Sequence, residues 1–509
     1  MPIPELPHES YWDVSAGLKR VLHARLSAQD YAWAEPLLAT MGRSAAFEVA
    51  PRAAVADREG PRLVTHDPLG NRIDRIDYHP AYGEMQAIAY GSGTVGMKYD
   101  AATLAAHPDA VQLVGFALGY LFGMAEMGLF CPVCMTDGVA RILDIYGGRE
   151  RFGATIERLA ASDMQRVWTG AMFLTERIGG SDVGANETIA RQQADGDWAL
   201  TGSKWFCSNV DADAILVTAR PEGAPAGTRG LKTFLVLRNA APGLTIERIK
   251  DKLGVRSMPT GEVTLDEVPA VEVGDFHSIA EMLNLSRLYN SVAAAAVMGR
   301  AVHEARHYIE RRHAFGKAVI EHPLAHETLL DAEAEQLGAL HLAFETVDAL
   351  GRADRGGEDA ARERRFLTPV VKAVTGKLAV PVVSECMELI GGNAYIEESP
   401  LPRLLRDAQV LPIWEGTTNI LALDALRAAR KEGGHRLVIN RIRKIFPAEA
   451  DGLEQAFETI EERQARGWVD RLGRALQLTL LREAGEDAAA DRLSGRPLGL
   501  VPGADMGSE

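Results

Sequence analysis

Hydrophobic spacing divides the chain into four stretches. Through residues 1–165 apolar side chains recur in Ala-, Leu- and Met-rich blocks such as Ala101–Ala106 and Ala140–Ile145, which predicts a helical domain. One interruption, PRLVTHDPLGNRIDRIDYH (61–79), reads as two strands around a Pro-Leu-Gly-Asn turn, a small β-hairpin. From 166 to 275 the runs shorten and fill with β-branched and aromatic residues: VWTGAMFLTE, DWALTGSKWFCS, DAILVTAR, LKTFLVLR, LTIERI and GEVTLDEV. Gly, Pro, Asn and Asp part them, which predicts a β-barrel module of six or more strands. From 276 to 430 Ala-rich helices return. Leu285, Leu288, Val292, Ala295, Ala296 and Gly299 mark one buried helix face there, and GRADRGGEDAARERR (351–365) reads as an exposed, charged helix junction. Residues 431–509 read as an appended region of two or three helices with a frayed Gly/Pro-containing tail. Helices, then strands, then helices make an α+β fold, mostly α, without the alternation of a doubly wound sheet.

The most apolar stretch, Val111–Met135, contains Gln112, Glu126 and Pro132. It falls short of a clean span of about 20 apolar residues, so it is expected as one buried helix and no membrane is implied. A length of 509 residues with 47% hydrophobic and 25% charged residues is that of a soluble protein of several domains. The formal net charge of −15 disfavours a surface built for nucleic acid. Four cysteines cannot make a disulfide framework, and MPIPELPHESYWDV lacks a secretory pattern, so a cytoplasmic location is expected.

Two motifs are set aside. GSGTVG (91–96) matches a dinucleotide-binding fingerprint, but a helical segment precedes it where a strand is needed. CPVC (131–134) has no second ligand pair, so packed helix-start cysteines are expected and no metal site. His303 and His307, four apart on a helix, are expected as surface residues.

Four other segments belong together. MFLTERIGGSDVGAN (172–186) leaves a strand for a Gly-rich turn whose N–H groups, with Thr175 and Ser181, can hold anionic oxygens. GSKWFCSN (202–209) sets aromatics beside a small hydroxyl. RRHAFGK (311–317) offers arginine and Phe315 after a long helix. PIWEGTTNI (412–420) puts one carboxylate, Glu415, between an aromatic and a glycine.

These motifs resemble the acyl-CoA dehydrogenase family, flavoproteins that desaturate acyl thioesters. The matching residues are Thr175-Glu176 with Gly180-Ser181-Asp182, then Ser208, Arg312 with Phe315-Gly316, Gly391-Gly392-Asn393, and Trp414-Glu415-Gly416-Thr417. DKLGVRSMPTGEVTLDEVPA (251–270) also fits. RIDRIDYHPAY (72–82), KWFCS, EESPLPRLLRDAQVLPIWEGTTNILALDALR (397–427) and the region after 430 resemble the AidB-like adaptive-response branch.

The resemblance implies roles. Glu415 is the base that takes the α-proton while a hydride leaves the β-carbon for flavin N5. Such a base needs its pKa raised by a dry, apolar pocket. FAD is the implied cofactor. Leu174 and Thr175 match contacts to the ring edge near N1 and O2, and Gly180 and Ser181 match the pyrophosphate turn. Phe206, Cys207 and Ser208 match the segment over the ring. Arg312 matches a reach to a neighbouring subunit's flavin pyrophosphate, which implies a homo-oligomer, a tetramer, and Phe315 is an implied cofactor contact. Gly392, Trp414, Thr417 and Asn419 match further cofactor contacts; Arg287 and Gly416 match the substrate side. Because strand side chains alternate, Phe206 is chosen over Trp205 to face the ring. Glu388 stands where much of the family has a cofactor-contacting glutamine, a departure that puts that contact in doubt.

Three functions follow. The first is a dehydrogenase passing electrons to an electron-transferring flavoprotein. The second is a DNA-associated stress flavoprotein; Asp424–Glu509 carries 14 Lys+Arg and 15 Asp+Glu, 14 − 15 = −1, poor material for phosphate contact apart from Arg436, Arg441, Arg443 and Lys444. The third is an oxidase or monooxygenase of the same fold, disfavoured by the presence of Glu415.

Overall fold

A computed structural model describes residues 8–194, 196–496 and 498; the expected tail beyond them lies outside the described residues. The chain forms two compact units. One comprises Met1–Phe47, Gln112–Ala125 and Arg287–Glu509, the other Glu48–Val111 and Glu126–Ser286.

The second unit contains the expected barrel. Its seven strands are Gly170–Phe173, Ile189–Gln192, Trp198–Ser208, Ala214–Pro221, Lys232–Leu237, Leu244–Ile249 and Thr260–Asp275. Ala214–Pro221 pairs in parallel with the first two and antiparallel with Lys232–Leu237. The long Thr260–Asp275 strand pairs with Trp198–Ser208, Lys232–Leu237 and Leu244–Ile249. Ile189–Gln192 pairs with Trp198–Ser208, so the pairings close a circuit. Closure removes most free edges, and alternation sends Phe173, Leu200, Cys207, Val217, Phe234 and Val263 into one core. The expected hairpin forms from Arg62–His66 and Arg72–Asp77. It is pinned to the barrel by Asp74: its carboxylate accepts the Ile246 N–H at 2.9 Å and its carbonyl accepts Arg238 Nη2 at 2.8 Å.

The first unit is helical. Leu288, Val292, Ala295 and Ala296 are buried on the Phe276–Arg311 helix, as their spacing predicts. The 351–365 junction joins the helices Pro323–Asp354 and Glu358–Ile390, with Arg352 bonded to Asp348 and Glu363. Among its described residues the appended region holds four helices rather than two or three: Gly434–Arg443, Pro447–Thr459, Ala465–Glu483 and Asp487–Leu493. Pro447 opens the second and Gly485 separates the last two, breaks that a polar, charge-rich sequence conceals.

Val111–Met135 is two helices, not one: Val111–Gly123 and Phe130–Ile142. The Glu126 carboxylate accepts the Leu129 N–H at 3.0 Å and the Ser257 hydroxyl at 2.6 Å, so the polar residue in the apolar run starts a new helix. CPVC lies in the first turns of that second helix, Cys134 buried and Cys131 half-buried. GSGTVG follows the helix Pro80–Gly91 and has no strand before it. The stretch Glu358–Tyr395 is long and apolar enough to cross a membrane by length and composition, but 83% of its most apolar window is buried within the protein.

Candidate active site

On the barrel, the Gly170–Phe173 strand releases the chain into the 174–188 turn. Glu176 turns inward and anchors it. Its carboxylate accepts the Thr188 N–H at 3.1 Å and the Lys204 ammonium at 2.7 Å, and Lys204 also donates to Asn186 Oδ1. Burial would raise the Glu176 carboxyl, but Lys204 and these donors bring it below its ordinary value. Burial pulls the fully enclosed Lys204 ammonium down to about 8. With Glu176 facing in, Thr175 is left half-buried and Ser181 exposed. Among the described residues the Gly180 and Ser181 N–H groups have no protein acceptor. A Cβ at Gly180 would meet Thr175 Oγ1 at 2.6 Å, so only glycine keeps that hydroxyl in place. The Lys204 network is the part of this turn that motif reading missed; its signal was the Lys of GSKW.

Alternation of Trp205 and Phe206 does not hold. Lys204 pairs with Val263 and Cys207 with Gly261, so the Trp198–Ser208 strand has a bulge at this point. Lys250 Nζ lies 3.6 Å from the Trp205 ring centre and 4.9 Å from that of Phe206, so the two rings share a cation instead of opposing each other. Phe206 is 57% exposed and remains available to a ligand. Cys207 does not: its side chain is in the barrel core, where burial pushes its thiol up, so a side-chain contact to a cofactor is corrected. Ser208 lies half-buried, 3.4 Å from Thr260 Oγ1.

In the helical unit, Glu415 lies in a tight turn before the Thr418–Glu432 helix. It has φ +57° and Gly416 φ +102°, and a non-glycine residue held in the left-handed region stores strain of about 1 kcal/mol or more. Two buried cations hold the turn. Arg287 Nε donates to the Glu415 carbonyl at 3.0 Å, and Lys372 Nζ donates to the Gly416 carbonyl at 2.6 Å. Arg287 also pairs with Asp424 at 2.6 Å, and Asp424 takes Arg365 at 2.6 Å. Arg287, expected on the substrate side, is thus an internal tether, because its guanidinium is turned to Asp424 and to backbone. The adjoining Trp414 indole N–H is buried without an acceptor among the described residues.

Known proteins resemble this arrangement over most of the chain. Family models match in order: the AidB N-terminal domain over 4–163, the acyl-CoA dehydrogenase middle domain over 171–268 and its C-terminal domain over 276–429. Acyl-CoA dehydrogenase family member 11 of Caenorhabditis elegans is 36% identical over 81% of this chain and 69% of its own. Putative acyl-CoA dehydrogenase AidB of Escherichia coli is 31% identical over 88% and 84%. The chain belongs to the acyl-CoA dehydrogenase family. The crystal structure of Caenorhabditis elegans ACDH-11 in complex with C11-CoA superposes with a TM-score of 0.89 at 30% identity, covering 98% of this chain and 93% of that one.

As an acyl-CoA dehydrogenase, the protein is an oxidoreductase of a flavoprotein family, and its barrel residues fit a flavin. The unengaged Gly180 and Ser181 N–H groups suit a pyrophosphate, and the Thr175 and Ser208 hydroxyls suit a ring edge. Elsewhere in the helical unit, Arg312 has no side-chain partner among the described residues, and Phe315 beside it is 97% exposed at φ +50°. Gly392 is exposed next to Asn393, whose amide donates to Tyr308 Oη at 2.6 Å. Thr417 and Asn419 are exposed at the start of the Thr418–Glu432 helix. Glu388 is exposed. His303 and His307 are not surface residues. Their side chains are about 10% exposed and line a cavity of about 410 Å³ with Tyr120, Arg306 and Arg311, and burial pulls His303 down to about 4. Among the described residues no cluster of His, Cys, Asp or Glu could hold a metal ion.

Proposed function

We propose that the protein is an FAD-dependent acyl-CoA dehydrogenase in which Glu415 removes the α-proton of an acyl thioester. The observation that carries this reading is the tethered, left-handed Glu415 turn. Its strain and its two buried cations are what a base held in one orientation requires. FAD, when bound, supplies the acceptor for the hydride lost from the β-carbon. Leu174, Thr175, Gly180, Ser181, Phe206 and Ser208 hold it on the barrel side. Arg312, Phe315, Gly392, Trp414, Thr417 and Asn419 bind its remaining parts, Arg312 toward a neighbouring copy in a homotetramer. The acyl-CoA seen in the ACDH-11 complex supports a CoA thioester as substrate. Electrons then pass to an electron-transferring flavoprotein, in the cytoplasm.

The test is anaerobic mixing of the yellow protein with a panel of acyl-CoAs. Bleaching of the flavin band is expected for at least one of them. In Glu415→Gln it should slow by about 10²–10⁴-fold while FAD stays bound. Failure of every acyl-CoA to bleach the wild type, or near-normal bleaching in the Gln variant, would overturn the assignment.

A further inference from the structure

Lys372 is fully buried, in the middle of the Glu358–Ile390 helix. Among the described residues it makes one hydrogen bond, to the Gly416 carbonyl, and no ion pair. A buried ammonium normally carries a carboxylate partner, because desolvation costs several kcal/mol per ion. Lys204 follows that rule with Glu176 at 2.7 Å; Lys372 does not. The charged groups that act on it are Glu415, which favours its charge, and Arg287, which opposes it. Burial dominates and brings its ammonium down to about 7. Asp424, the acid beside Arg287, is engaged with Arg287 and Arg365. On the Ala465–Glu483 helix, burial raises the Asp470 carboxyl, and Arg466, then Lys377, oppose that rise. The cost of burying Lys372 therefore has no structural return except at the 415–416 turn.

We propose that Lys372 is a positioning residue for Glu415: it fixes the Gly416 carbonyl and supplies the buried positive charge that keeps the Glu415 carboxylate ionised and ready to accept a proton. The attraction that favours the Lys372 ammonium acts equally on its partner, since an opposite charge nearby favours the charged form of both. This rests on Glu415 being the base. It changes what the pocket does, from raising the base by apolar surroundings alone to offsetting that rise with a cation behind the turn.

The experiment compares Lys372→Met, Lys372→Gln and Glu415→Gln as FAD-loaded proteins. Flavin reduction by an acyl-CoA and exchange of its α-proton with deuterated solvent are followed against pH. Gln keeps an amide donor for Gly416 without charge; Met keeps neither. In both Lys372 variants the acidic limb of the profile should move up by about one unit. The rate should be about 10-fold below wild type on that limb and approach it at higher pH, with acyl-CoA affinity and FAD content little changed. Replacing an unpaired buried charge by an apolar side chain of similar volume should not lower the melting temperature. An unshifted limb in both variants overturns the proposal. So does failure of Lys372→Met to fold, which would make the charge part of the scaffold. Normal reduction by Glu415→Gln overturns the parent reading instead, and with it any role for Lys372 toward the base.

Discussion

The Lys204 ammonium and the Glu176 carboxylate lie 2.7 Å apart, both buried, directly beneath the turn that carries Thr175 and Ser181. Breaking such a pair by removing one partner leaves an uncompensated charge and costs about 3–5 kcal/mol. Lys204→Met should lower stability to urea by that order and release FAD. The double variant Lys204→Met/Glu176→Gln should recover most of the stability, because no charge is then stranded. A double-mutant cycle of unfolding free energies checks this.

Trp414 carries the buried indole N–H that has no acceptor among the described residues. A ligand acceptor would remove that deficit, which is worth about 1–3 kcal/mol for a buried polar group. Trp414→Phe should bind FAD about 10-fold more weakly by calorimetry and be no less stable without ligand.

Acid should destabilise the helical unit through two histidines. Burial pulls His303 and His341 down to about 4 from 6.5. Between those values the unfolded chain binds protons that the folded chain refuses. Stability contributed by the neutral rings is therefore full above about pH 6.5 and is lost as pH falls toward 4. Urea unfolding at stepped pH should show this slope, and His341→Gln should reduce it by about one proton.

Duplex DNA should bind no tighter than about 10⁻⁴–10⁻⁶ M at physiological salt. Two of the four basic residues of the candidate patch face acids of their own chain: Arg441 pairs with Glu483 and Glu345, Arg443 with Asp451 and Glu454. A sub-micromolar Kd by anisotropy would restore the DNA-associated reading.

The barrel, the hairpin and the long helices were legible because period and turn chemistry agree along each of them. The Glu415 turn could be singled out because its neighbours form a motif. Lys372 was not: it sits in TPVVKAV, where the apolar period of a core helix surrounds it and nothing local marks the turn 43 residues later. Trp205 and Phe206 misled because alternation assumes an unbroken ladder, and a bulge depends on the opposing strand. The break after Gly123 was hidden because Glu126 acts as a helix start only once Ser257 holds it.

The appended helices hold the counter-ions of two buried acids on the Pro323–Asp354 helix. Arg474 meets Glu335, 139 positions earlier, and Arg441 meets Glu345, 96 positions earlier. A ribosome therefore delivers Glu335 long before its counter-ion, whereas Glu345 also has Arg25, 320 positions earlier, at 3.0 Å. Until Arg474 emerges, the Glu335 carboxylate must stay in water, since burying it alone would be prohibitive. Synthesis from the N-terminus thus sets a clock on closure of the helical unit, and a chain stalled near residue 430 is left open at its own centre.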